Sequence, residues 1–129
     1  MINYIIIDTD IIINIGRKDK TAIERIRKEE NSSILSISAV TEMELIIGCR
    51  NKSEQKLLEK FLINFEIVNI NYEITVKAIE LLKRYRLSHG LLIADSLIAA
   101  TSIITDRPIL TKNQKDYKFI EDLKLISYP

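Results

Sequence analysis

Residues 4–13 read YIIIDTDIII. Tyr4 to Ile7 is a short run dominated by β-branched side chains, with no polar residue between them. Such a run reads as a strand buried on both faces, as strands are in parallel sheets covered by helices. It ends at Asp8-Thr9-Asp10, and a helical pattern begins at Ile11, with Asp10 better placed than Asp8 to cap it. A buried strand that passes straight into a helix is the opening of a βαβ unit.

The rest of the chain repeats that alternation. Residues 21–30 are helical, with Ile23 and Ile26 on one face, and 34–37 form a second strand. The stretch 40–48, VTEMELIIG, is a helix whose apolar side carries Val40, Met43, Ile46 and Ile47. Residues 53–65 form an amphipathic helix with Ser53 at its N-cap and Leu57, Leu58, Phe61, Leu62 and Phe65 as its stripe. A third strand at 67–70 and a helix at 72–86 follow, and Gly90 breaks the chain. Pro108 stops the next helix, a fourth strand covers 109–111, and 125–127 is a last short strand. The expected architecture is an α/β sandwich of three layers, α/β/α, around a short, mainly parallel sheet, with residues 1–129 as one domain.

Composition narrows the function classes. Basic and acidic side chains number 19 and 18, a net charge of +1, so no global basic footprint for nucleic acid exists. Any such partner must be held by a local patch or a metal. One cysteine, Cys49, allows no intrachain disulfide and is compatible with a reducing compartment. The apolar N-terminus carries Asp8 and Asp10 and no basic start, so it does not resemble a secretory signal. No apolar run is long enough to predict a membrane span. His89 is the lone histidine, read as an exposed loop residue, which argues against triads and His-dependent nuclease chemistry.

The functional signal is acidic. Residues 91–104, LLIADSLIAATSII, hold a single charge, Asp95. Its helical neighbours at three and four positions are Leu91, Leu92, Ile98 and Ala99, none of which offsets it. An ionised carboxylate there costs several kcal/mol unless paired or bound to metal, although Asp95 could instead cap a helix starting near Ser96. Asp8 ends the first strand, where ligand sites of parallel sheets lie. Glu42 and Glu44 sit about 200° apart on their helix, so only one can face a given site. The turn after the fourth strand, TKNQKDY, adds Asn113 and Asp116. Carboxylates brought together from such places repel one another unless a cation enters. Oxygen donors without His or Cys favour Mg²⁺ or Mn²⁺, and two such ions suit phosphodiester hydrolysis.

IIIDTDIII at 5–13, VTEMELIIG at 40–48, IADSLIAA at 93–100 and ILTKNQKDY at 109–117 together resemble the PIN-domain ribonucleases, above all VapC-type toxins of prokaryotic toxin–antitoxin pairs. The resemblance spans essentially the whole chain, and IADSLIAA is its most specific block. It implies that Asp8, Glu44 and Asp95 bind one or two Mg²⁺ or Mn²⁺ ions and are catalytic. Glu44 is selected over Glu42 by an ELxxG-like pattern. Asp116 or Asn113, in a TxNxxDF-like block, completes the set, and Thr9 orients a carboxylate or binds through water. It also implies an RNA substrate (tRNA or rRNA), a cognate antitoxin, a homodimer and a cytoplasmic setting. Basic residues near these acids, Arg17, Lys18 and Lys20, then Arg50 and Lys52, then Lys112 and Lys115, are expected to form a rim for RNA phosphates. Two rivals are a PIN scaffold that binds without cutting, favoured by the neutral Asn113, and a haloacid-dehalogenase-like phosphatase using Asp8 and Asp10. The phosphatase pattern usually has Thr or Val where this chain has Ile12.

Overall fold

The computed structural model describes residues 2–129, so Met1 of the apolar N-terminal stretch lies outside the described residues. The elements in chain order are β1 (Tyr4–Ile7), α1 (Thr9–Gly16), α2 (Lys20–Glu30), β2 (Ile34–Ser38), α3 (Ala39–Ile47), α4 (Lys52–Leu62), β3 (Glu66–Val68), α5 (Tyr72–His89), α6 (Ile93–Thr105), β4 (Ile109–Leu110) and β5 (Leu125–Ile126). A 3₁₀ turn, Gln114–Asp116, follows β4. The strands form one sheet in the order β3-β2-β1-β4-β5, and every pairing is parallel.

Strand geometry explains why β1 is apolar throughout. Successive side chains point to opposite faces, so Ile5 and Ile7 enter one core and Ile6 the other. The first core gathers Ile11, Ile12, Ala22, Ile26, Leu62 and Phe65 from α1, α2, α4 and the chain just after it. The second gathers Val40, Ile74, Leu81, Tyr85, Ile98 and Ala99 from α3, α5 and α6. The three layers of the sequence reading are therefore present. At the centre of the sheet, β1 sends the chain one way through β2 and β3, while β4 and β5 lie on its other side. The carboxyl end of β1 is thus a topological switch point, where open parallel sheets bind ligands. Asp8 stands at that point, and its N–H donates to the Leu110 carbonyl at 2.9 Å.

Several local expectations are corrected. Helix α1 begins at Thr9, with Asp8 in extended backbone (φ −72°, ψ 156°) at the N-cap. Asp10 is therefore an acid of the first turn, favoured by the helix dipole, and not the cap. Asn51 caps α4 by accepting from the Glu54 N–H at 2.9 Å, two residues before the expected Ser53. Asp95 does not cap a late helix, because α6 starts at Ile93 and places Asp95 within its first turn. On α3 only Val40 of the expected stripe is buried, while Met43, Ile46 and Ile47 are exposed, Ile47 by 82%. That helix packs Leu45 against the first core instead. Helix α5 runs to His89, which is helical and stacks on Phe119, and Gly90 ends the helix with the left-handed φ of 71° that favours glycine.

Candidate active site

Five carboxylates are carried to the carboxyl edge of the sheet by five local structures. Asp8 comes from the end of β1, Asp10 from the first turn of α1, and Glu44 from α3. Asp95 comes from the first turn of α6 and Asp116 from the 3₁₀ turn after β4. Among the described residues, none of the five is salt-bridged to a basic side chain.

Three buried hydroxyls organise these acids. Thr111, fully buried just beyond β4, donates to Asp8 Oδ2 at 2.8 Å. The Tyr117 hydroxyl lies 3.3 Å from Asp8 Oδ1 and 3.2 Å from Asp95 Oδ1, so one phenol spans the two carboxylates. Thr9 donates to Glu44 Oε1 at 2.7 Å, and the Thr41 hydroxyl lies 3.0 Å from Thr9 Oγ1. Asp8 also accepts from the Thr9 N–H at 2.9 Å. Asp10 takes a different part: its carboxylate accepts the Lys112 and Asn113 N–H groups at 3.1 and 2.9 Å and so pins the loop after β4. A carboxylate spent on backbone amides is poorly placed as the acid–base group of the phosphatase rival.

The electrostatics follow from this crowding. Burial, with the charge of Asp10 next, raises the Asp8 pKa from 3.8 to about 7, against the lowering effect of its bonds to Thr111 and Thr9. Asp95 is also raised, first by burial and then by Asp116, Glu44 and Asp10, while its bond to Tyr117 lowers it. The Tyr117 phenol is pushed far up by burial and by both aspartates, so it stays a proton donor. Among the described residues, no three Asp, Glu, His or Cys side chains converge tightly enough to close around one ion as they stand. The donor set nevertheless fits a hard divalent cation: it is all oxygen, multiply negative and, among the described residues, lacks any paired base.

Of the residues singled out in the sequence, Asp8 and Asp95 share a hydroxyl, and the charges of Glu44 and Asp116 both reach Asp95. Glu44, rather than Glu42, is the α3 acid that bonds to Thr9. Asn113 joins through its backbone N–H, to Asp10 and to Thr111 Oγ1. The basic rim is dispersed. Arg17 and Lys18 lie past the far end of α1, roughly 12 Å along the axis from Asp8. Arg50 donates from Nε and Nη2 to Glu54 Oε2 at 3.1 and 2.8 Å, whereas Lys112 stands on the loop fixed by Asp10. Sequence reasoning missed Thr111, Tyr117 and the anchoring role of Asp10. A groove of about 500 Å³ opens beside Glu44, lined by Ile12, Ile15, Leu45, Leu57, Leu58 and Phe61.

A parallel sheet with a carboxylate cluster at its switch point defines an α/β domain of the acidic-site type. A family model for the PIN domain matches residues 5–121, and the chain belongs to the PIN domain family. It is 31% identical over 126 residues to Ribonuclease VapC1 of Methanocaldococcus jannaschii, covering 96% of this chain and 86% of that protein. It is 32% identical over 135 residues to Ribonuclease VapC of Rickettsia bellii, covering 97% and 96%. Among solved structures, VapBC2 from Rickettsia felis, bound to a DNA fragment from their promoter, matches with a TM-score of 0.83 at 25% identity. That match covers 98% of this chain and 99% of the other. Among the described residues no helix is long and apolar enough to cross a membrane.

Proposed function

We propose that this chain is a divalent-metal-dependent endoribonuclease, the toxin of a VapBC-type toxin–antitoxin pair, acting on tRNA or rRNA. The observation that carries the reading is that Asp8, Glu44 and Asp95 are each bonded to a buried hydroxyl at the switch point, with the charge of Asp116 reaching Asp95 and no salt-bridge partner for any of them among the described residues. The ribonuclease names of relatives that align along nearly the whole chain supply the substrate class. Asp8, Glu44 and Asp95 would hold Mg²⁺ or Mn²⁺, with Asp116 as the fourth acid, since it bears a charge that Asn113 lacks. When bound, the ion supplies positive charge against the oxygens of the scissile phosphodiester. The chain's own residues set the geometry: Thr111 and Thr9 fix the rotamers of Asp8 and Glu44, and Asp10 holds the β4 loop over the site. Purified protein freed of any partner should cut RNA with Mg²⁺ or Mn²⁺ and stop on addition of EDTA. Persistent cutting in EDTA would contradict the metal requirement.

Thr9→Val, which removes the bond to Glu44 but keeps the shape, should lower cleavage by about tenfold with little change in Tm, as loss of a partner that orients a ligand does. The cut rate against metal concentration reads this directly. RNA contacts are expected on the loop side. Lys112→Glu should weaken RNA binding and reduce the slope of log K against log salt by about one. Arg50→Glu should change it less, because Arg50 is already paired. Filter binding at several salt concentrations distinguishes the two. The antitoxin would dock in the apolar groove beside Glu44, and exposed Met43, Ile47, Val76 and Ile79 would serve a second copy of the chain. A binding-only scaffold is favoured by the acids' failure to close on one point; absence of any divalent-ion affinity would support it.

A further inference from the structure

The ring of Tyr117 lies in the second core, 1% exposed, beside Ile120 and Leu123. Filling that space requires the ring and not the oxygen. A hydroxyl taken into a core must find partners or be costly, and among the described residues this one finds only Asp8 Oδ1 and Asp95 Oδ1. These two acids come from β1 and α6, elements with no covalent reason to keep a fixed carboxylate spacing. The phenol reaches them from the buried side, while Asp95 is only half-buried and opens towards solvent. A cation arriving from solvent therefore need not displace the ring. The Tyr117 hydroxyl can keep donating to one of the two oxygens while the carboxylates' outer lone pairs face the ion.

We propose that Tyr117 is a positioning residue whose hydroxyl sets the spacing of Asp8 and Asp95 and thereby the affinity of the site for a divalent cation; this rests on the metal-dependent reading given above. Groups that orient metal ligands from behind are worth about 10- to 100-fold in metal affinity when removed. The role differs from that of Thr111, which touches Asp8 but not Asp95.

The test is Mn²⁺ binding to the purified full chain at pH 8, followed by calorimetry and by the electron paramagnetic signal of free Mn²⁺. For Tyr117→Phe, the Kd for Mn²⁺ should rise about 10- to 100-fold. The Mn²⁺ concentration giving half-maximal RNA cleavage should rise in parallel, while cleavage at saturating Mn²⁺ stays within about threefold of the parent. Replacing Tyr117 with p-aminophenylalanine, which keeps a donor at the same place, should restore the parental Kd. Thermal melts without metal establish that each variant is folded. An unchanged Kd in a folded Tyr117→Phe variant would overturn the role, as would a loss that p-aminophenylalanine fails to repair. If the parent protein itself takes up no Mn²⁺, the metal-dependent reading fails first and the role of Tyr117 falls with it.

Discussion

Asp95→Asn should cut RNA at least about a thousandfold more slowly than the parent, a loss of about 4 kcal/mol of barrier lowering. The substitution exchanges one oxygen for an amide nitrogen and leaves the volume unchanged. It removes the charge in the first turn of α6 that the neighbouring Leu91, Leu92, Ile98 and Ala99 cannot offset or replace. Tyr117 can still donate to the remaining carbonyl oxygen, so the local packing persists. Asp8→Asn should be equally damaging to cleavage. Timed digestion of labelled RNA at saturating Mn²⁺, with melting curves as the folding control, measures both. A folded Asp95→Asn protein that retains more than a tenth of the parental rate would remove Asp95 from the catalytic set.

The second large effect concerns stability, and there Asp8→Asn has the opposite sign. The Asp8 carboxyl is raised from 3.8 to about 7 on folding, so the folded protein binds a proton that the unfolded chain releases. The associated stability is fully present below pH 4 and is lost as pH rises towards 7. Over that window the difference amounts to about 4 kcal/mol. Metal-free protein should therefore lose stability at Asp8 between about pH 4 and 7, and Asp8→Asn should lack that component. At pH 8 without metal the variant should melt on the order of 10 °C higher than the parent. Mn²⁺ should raise the melting temperature of the parent and have little effect on the variant, since a ligand that binds only the folded state stabilises it by mass action. Melting curves from pH 4 to 8, in EDTA and in Mn²⁺, separate the two proteins. A parent whose pH profile matches that of Asp8→Asn would mean that Asp8 is not held in the crowded, desolvated state described above.

How far the sequence predicts this molecule depends on whether the cause is local. The β-branched run before Asp8 and the apolar segment around Asp95 report burial directly, so the parallel strand and the buried helix are legible in them. The same is true of the acids themselves, because a charge among isoleucines is anomalous wherever the chain goes. The caps at Asp8 and Asn51 each lie two residues before the expected position, since several neighbouring Asx or Ser residues compete and backbone geometry decides among them. The α3 stripe was legible as apolar but not as exposed, for periodicity says which residues share a face and not what the face meets. Thr111 and Tyr117 could not be ranked at all. They reach Asp8 across more than a hundred residues, only because β1 pairs with β4 in the register Ile6 to Ile109 and Ile7 to Leu110. A polar turn and a tyrosine carry no mark of that pairing in the sequence.

In the proposed enzyme, acids distant in the chain share a cation at the end of β1. Crystals grown with Mn²⁺ at pH 8 and measured at the manganese absorption edge test it most directly. An anomalous peak in contact with the carboxylates of Asp8 and Asp95, lost in Asp8→Asn, is the predicted result. Well-ordered Asp8 and Asp95 side chains in millimolar Mn²⁺ with no anomalous peak between them would contradict it.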